Sequence, residues 1–432
     1  MSPSPHGVRI GFRLAPRLLI ACLLLARLAH GTAPDRTAVG FPNCPAPPIV
    51  PPLEPPGRRR RTDLTGDPEL VEIRYEIVGP PPTIFAATRI NAIAILGDGC
   101  HALVGRRQCK KFDCLGGLSV LRASASGYFD PVQWPYETLV PDSILEVISP
   151  PKIVSVAAEP AEGTGDGVVW LVNAHNKLPA GGPVAHWPRS PAKRLLLLGA
   201  ARHSGDGVIT RVVYTRDVHG QPVPVRAAGA VFTGLKVLLA TDPHLGWALD
   251  VTSGKRNGFH VAGVAAQDGL VFLGLRGPVM RHIAFILTLC LRPARQAGTL
   301  AAERLDSCIR AADGRRYAKL GLDLGGLGIH DLASDRRGGL VILAKPVVGN
   351  GPARVFLLRG GPVFDEGVIL QSDRTAQNGL PRLSALRELS QAEGKVSGIA
   401  VRGERFIVVY NQKERQLTNG VAEAQSFPLP SR

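Results

Sequence analysis

From residue 70 onward the chain alternates short β-branched runs with Gly, Asp and Pro breaks, and long helical periodicity is rare. One unit recurs. An apolar strand at Ile90–Ile95 meets a Gly/Asp turn and a second apolar strand from His101 to Gly105. The same shape returns at Ile153–Ala157 with Val168–Val172, at Val261–Ala265 with Leu270–Gly274, at Leu327–Ala333 with Leu340–Ala344, and at Val396–Ala400 with Arg405–Tyr410. First strands begin near 90, 153, 261, 327 and 396, at intervals of 63, 108, 66 and 69. Three of these intervals fit one blade of a decorated β-propeller, whose four-stranded sheet takes roughly 40–50 residues before insertions. The interval of 108 holds either a long insertion or a sixth, degenerate blade within Arg194 to Asp250.

The predicted fold class is therefore all-β, a propeller-like ring of five to six blades with insertions; the competing architecture is a pair of β-sandwiches. Arg194–Gly199, Val208–Tyr214, Ala284–Leu291, Ala353–Leu358 and Val368–Gln371 fill third and fourth strand places, while Ala228–Ala240 and Leu383–Gln391 read as short helices. The last repeat ends soon after Tyr410 without a clear fourth strand, and Leu70–Val78 is a β run with no repeat of its own. Pairing the two would close the ring through an N-terminal strand and remove both exposed edges.

Composition changes this picture at the N-terminus. Arg9, Arg13 and Arg17 precede the apolar run Leu18–Ala26, and Ala29–Gly31 offers small residues for cleavage, so residues 1–31 read as a signal peptide. The run is shorter than the roughly 20 apolar residues that span a bilayer, which predicts no membrane span in the mature chain. Residues 32–68 carry many prolines and then Arg58–Arg61, the composition of an extended linker, and residues 69–432 form a single domain. The predicted location is periplasmic or secreted. Of the formal charge of +16, four positive charges leave with the leader and four belong to the arginine run. The excess that remains favours anionic partners, a small molecule or an envelope component. With only 13 Phe, 4 Trp and 6 Tyr, and no basic stretch interleaved with aromatics, nucleic acid is disfavoured.

Export makes disulfides plausible among Cys44, Cys100, Cys109, Cys114, Cys290 and Cys308. Cys290 and Cys308 fall where they could bridge neighbouring strands. Cys100, Cys109 and Cys114 lie beside His101, but their spacing fits no paired zinc knuckle, so no metal and no cofactor is assigned.

The segment Ser253–Leu289, with Gly274-Leu275-Arg276-Gly277-Pro278 at its centre, resembles an uncharacterised bacterial family marked by a Gly-Leu-Arg-Gly-Pro signature, domain-of-unknown-function family 3616. Leu322–Ala333 and Leu340–Pro352 fit the same pattern, as do Trp170–Lys177 and Phe406–Asn411 more weakly, so the likeness runs over roughly residues 150 to 412. It implies a propeller and export, and no chemistry. First strands of phytase-type and esterase-type propellers carry Glu-Gly where this chain has Ala262-Gly263 and Ser397-Gly398. His330 stands where the resemblance leads one to expect Arg, and Lys345 where it leads one to expect Gly. Inward glutamates are the hard oxygen ligands a calcium-assisted phosphate hydrolase needs, and their replacement weakens that reading.

Each repeat also places a basic residue just after its second strand: Arg106, Lys177, Arg276, Lys345 and Lys413. In a propeller those positions share one face, so five cations would ring one mouth of the channel, joined by His175 and His330. Such a ring would hold phosphate, sulfate or carboxylate, with Arg276 able to act bidentately. The competing assignments are a structural pair between Arg276 and Asp331, and solvated loop tips for the others. No Gly-x-Ser-x-Gly elbow or HExxH spacing occurs. Adjacent strand residues face opposite sides, so at most one of His330 and Asp331 can look into the channel. The reading is an exported binding protein for an anionic ligand. The alternatives are a metal-assisted hydrolase of phosphoesterase or lactonase type, using Asp331 or Asp250 as a ligand, and a structural envelope protein.

Overall fold

The computed structural model describes residues 69–73, 90–110, 113–123, 129–134, 152–160, 167–174, 208–217, 222–225, 229–251, 257–295, 298–308, 314–335, 337–360, 369–371, 382–389, 395–411 and 422–431. They build a five-bladed β-propeller. Blade one comprises Ile90–Ile95, His101–Lys110, Asp113–Ala123 and Phe129–Trp134, from the inner strand outward. Blade two runs Lys152–Pro160, Gly167–Ala174, Val208–Arg216 and Ala230–Phe232; blade three runs His260–Gln267, Leu270–Gly277, Ile283–Pro293 and Tyr317–Asp323. Blade four runs Leu327–Asp335, Gly339–Pro346, Ala353–Arg359 and Arg382–Leu389. Blade five takes Lys395–Arg402, Arg405–Asn411 and Ala422–Pro428 from the C-terminal end of the chain.

Its outer strand is Glu69–Ile73, antiparallel to Ala422–Pro428 with Val71 opposite Ala424. The closure expected of the Leu70 region therefore occurs, and both ends of the described chain are locked into one sheet. The inner strands meet in cyclic order, blade one against two, two against three, and so on to five against one.

Five apolar clusters fill the spaces between neighbouring blades. Leu103 and Val120 pack on Val156 and Val169, Val172 and Ile209 on Leu273 and Leu287, and Ile286 and Leu320 on Ile329 and Ile342. Val341 and Leu357 pack on Ile399 and Val408, and Ile407 and Val409 on Ile93 and Val104. Each sheet is thus covered on both faces. That is why the second strands read as continuous apolar runs such as Leu270–Leu273 and not as strict alternations. At about 1.5–3 kcal/mol per buried aliphatic side chain, these interfaces are the main favourable term holding the ring together.

The 108-residue interval holds no sixth blade among the described residues. Val208–Arg216 and Ala230–Phe232 complete blade two, and a short helix (Leu235–Leu239) and a 3-10 turn (Gly246–Asp250) lead into blade three. The insertion is pinned by a buried ion pair. Lys319 of blade three donates to Asp242 at 2.7 Å, Tyr317 donates to the same carboxylate, and Asp242 also caps the turn at His244 and Leu245. Two local expectations are corrected. Leu383–Gln391 is no helix: Arg382–Leu389 is the outer strand of blade four, because the unpaired edge of Ala353–Arg359 takes up a segment whose leucines sit at a helical spacing. Ile369–Gln371 is a strand, but it adds in parallel to blade three's outer strand and not to blade four. The expected strand Arg194–Gly199, the leader and the linker lie outside the described residues.

The bridge expected between Cys290 and Cys308 is present, tying the third strand of blade three to the turn after its short side strand Leu300–Glu303. Cys100 is also disulfide-bonded. Cys109 and Cys114 stand opposite each other across the second and third strands of blade one.

Candidate functional site

Every inner strand carries a β-bulge at the same place. The pairing with the second strand slips between Ile90 and Ala92, Ile153 and Ser155, Val261 and Gly263, Ile329 and Asp331, and Val396 and Gly398. A bulge inserts one unpaired residue and bends the strand. Here the extra residues are Asn91, Val154, Ala262, His330 and Ser397, and the residues that follow are Ala92, Ser155, Gly263, Asp331 and Gly398. Four of those five are small, and they let the blades close in on the fifth.

Asp331 is 0% exposed. Its Oδ1 accepts from Ser155 Oγ of blade two at 2.5 Å and from the Leu332 N–H, and its Oδ2 accepts from the Ile399 N–H of blade five at 2.9 Å. Ser155 Oγ in turn accepts from the Val264 N–H of blade three. A Cβ on Gly263 would come within 2.9 Å of the Asp331 backbone, and one on Gly398 within 3.1 Å of Ala92 Cα. All five inner strands therefore converge around one carboxyl. Burial pushes this carboxyl well above the usual carboxylate range, against the pull of its three donors. Both of its oxygens are taken by protein donors, so Asp331 offers nothing to a metal ion and does not pair with Arg276. The side chain of Asp250 lies outside the described residues.

At the end of the ring where inner strands begin and second strands finish, a basic cluster assembles from three blades. Burial first, then Lys345, Arg276, His260 and Lys395, hold the His330 imidazole well below its ordinary value. Burial, followed by Lys395 and Arg276, pushes the Lys345 ammonium down to about 7. Every charged group acting on these two residues is basic. Among the described residues, Lys345 donates to the backbone carbonyl of Val396, at the start of blade five. Arg276 makes one long contact, Nη2 to the Val347 carbonyl at 3.4 Å, while its Nε and the His330 Nδ1 are buried without a hydrogen-bond partner. Burial also lowers the Arg276 pKa.

Local backbone sets these side chains. The Arg276 carbonyl lies 2.1 Å from where a Cβ on Gly328 would stand, so only glycine lets blade four approach this close. Asn257 clamps the following turn, donating to the Val279 carbonyl and accepting from its N–H, both at 2.8 Å. Arg276 and Lys345 occupy equivalent repeat positions, and each reaches the next blade round the ring. Asn411 does the same from blade five, donating to Asn91 of blade one.

The opposite end differs in kind. At the turns joining inner to second strands, Asp98 pairs with Arg216 at 2.9 Å and with His101, Arg337 with Glu404, and Glu159 accepts from Trp170 and the Gly269 N–H. Several cations there have carboxylate partners; at the basic end, among the described residues, Arg276 and Lys345 have none.

Of the seven predicted site residues, Arg276, Lys345 and His330 are brought together. Arg106, opposite Ile90, falls one residue short of the place that Arg276 and Lys345 occupy, which on blade one's second strand is Arg107; the side chain of Arg106 is outside the described set. Lys177, Lys413 and His175 are outside it altogether. His330 is the extra residue of the blade-four bulge and Asp331 the residue that follows it. Asp331 enters the convergence point, and His330 lies among the cations. His260 and Lys395 were missed. Both immediately precede the apolar start of an inner strand, as do Arg89 and Lys152, so a basic residue at that place recurs in four of the five repeats. Among the described residues no three His, Cys, Asp or Glu side chains gather as a metal site would require. No described helix is long and apolar enough to cross a membrane.

The profile of the family described as a protein of unknown function (DUF3616) matches residues 226–423, which bears out the resemblance read from the sequence. Comparison with curated proteins gives no match. Among solved structures, an exo-β-1,3-galactanase from Clostridium thermocellum aligns at 11% identity over 83% of this chain and 61% of its own, with a TM-score of 0.39. A β-1,3-galactosidase bound to galactodeoxynojirimycin aligns at 13% identity over 80% and 94%, with a TM-score of 0.40. A periplasmic gluconolactonase from Pseudomonas aeruginosa aligns at 14% over 74% and 64%, with a TM-score of 0.28. This chain spans about three fifths of the galactanase. None of these likenesses bears on the site.

Proposed function

We propose that the protein binds an anionic group at the basic end of the propeller, held by Arg276, Lys345 and Lys395 with His330 and His260 around it. One observation carries the reading: among the described residues, cations from three blades converge with no carboxylate among the groups that perturb them, and Arg276 Nε and His330 Nδ1 are buried there without a partner. Desolvating unpaired cations is costly, and an anion that accepts charge-assisted hydrogen bonds offsets that cost. Arg106, Lys177 and Lys413, which follow near the ends of their own second strands in the sequence, would add further cations to this site. The leader pattern of residues 1–31 places this binding protein in the periplasm or outside the cell, with residues 32–68 as its spacer.

The binding has a defined pH dependence. An anion favours the protonated Lys345, whose folded value of about 7 lies well below that of a free lysine. Affinity for sulfate, whose charge is constant across neutral pH, should therefore be highest below pH 7 and fall as pH rises through it, with proton uptake on binding. Loss of one charge-assisted contact corresponds to roughly tenfold in affinity. In calorimetric titrations Lys345→Ala should bind sulfate that much more weakly in acid and show a flatter profile. A wild-type affinity independent of pH, or no sulfate binding at all, would contradict the reading.

A further inference from the structure

The anion site contains an amine that does more than attract charge. Lys345 is half-buried, its Nζ is anchored on the backbone carbonyl of Val396, and among the described residues it has no carboxylate partner. Lysines this enclosed are ordinarily paired with an acid. Here the neighbours are Arg276, Lys395 and His330, so the environment opposes the ammonium form and leaves a large share of free amine at neutral pH. A lysine beside other cations in a desolvated setting is the arrangement that makes an amine nucleophilic.

We infer that Lys345 forms an imine with the carbonyl of a small anionic oxo compound, of the 2-oxo acid class, whose carboxylate is held by Arg276 and Lys395. This rests on the anion-binding reading above. The step is balanced without any further reactant. The Nζ lone pair adds to the carbonyl carbon, the carbonyl oxygen takes up a proton, and the carbinolamine then loses water, so that one C=O is exchanged for one C=N. The His330 Nδ1, buried and unpartnered, lies in the same cluster. A carboxylate next to the carbonyl explains why an amine and several fixed cations occur together. The cations orient the acid group, and the amine meets the adjacent carbon.

The test is reductive trapping of the full-length protein with pyruvate and cyanoborohydride, followed by peptide mass mapping. The reduced adduct should concentrate on the peptide containing Lys345, at a rate that rises with pH through about 7. It should be suppressed by sulfate and vanish in Lys345→Arg, whose guanidinium forms no imine. Labelling spread evenly over surface lysines, labelling indifferent to sulfate, or no adduct at all would overturn the inference. Sulfate binding that persists when trapping fails leaves the anion site standing, whereas loss of both removes the site itself.

Discussion

Replacing Asp331 by alanine should cost roughly 3–5 kcal/mol, measured by urea unfolding. The change strips acceptors from Ser155 Oγ and from the Leu332 and Ile399 N–H groups, each worth roughly 1–3 kcal/mol when buried and unsatisfied. The isosteric Asp331→Asn is the more discriminating variant. An amide has only one oxygen, so its NH2 must face either the Ile399 N–H on one side or the Leu332 N–H on the other. A loss of about 1–3 kcal/mol is expected from that donor–donor contact. The pH dependence has a sign. A carboxyl whose folded value is raised contributes fully below its unfolded value, near pH 4, and its contribution is lost as pH rises through the folded value. The gap between wild type and Asp331→Asn should therefore be widest in acid and narrow towards alkaline pH. An asparagine variant as stable as wild type at every pH would show that the carboxyl does not organise the five inner strands.

The second large effect concerns closure. Glu69–Ile73 supplies the outer strand of blade five, and its partner Ala422–Pro428 has no other cover on that edge except through this segment. Deleting residues 69–73 should expose that edge, lowering the melting temperature and promoting edge-to-edge association. Thermal scans with light scattering would register both. Restoring the deleted segment as a separate peptide should recover part of the melting temperature. A deletion variant that melts like wild type would contradict this closure.

Much of the ring was legible in the sequence because each blade repeats two strands buried on both faces, and such strands leave dense β-branched runs around a Gly/Asp turn. The N-terminal strand was legible for a complementary reason: Leu70–Val78 had no repeat of its own, and the last repeat lacked a strand. Blade number was ambiguous because the segment carrying the Leu235–Leu239 helix lengthens one interval without adding a sheet. The outer strands were the least legible. Arg382–Leu389 buries little besides Leu383 and Leu389, so its pairing is imposed by a waiting edge and not by its own pattern. At the site, Arg276 and Lys345 were visible as basic residues after second strands. The bulges were not, since a bulge is a matter of backbone register and leaves only a small residue behind, as at Ser155 or Gly263. That omission hid the placement of His330 and the role of Asp331. Lys395 and His260 escaped because they sit just outside the apolar pattern that defines each inner strand.

The central claim is that the basic end of the propeller is an anion site shared by neighbouring blades, and calorimetric titration of sulfate at pH 6 tests it most directly. Wild type should bind with uptake of protons, and Arg276→Ala combined with Lys345→Ala should lose roughly a hundredfold in affinity, two charge-assisted contacts at about tenfold each, with its thermal stability retained. Equal sulfate binding by wild type and the double variant would contradict the account.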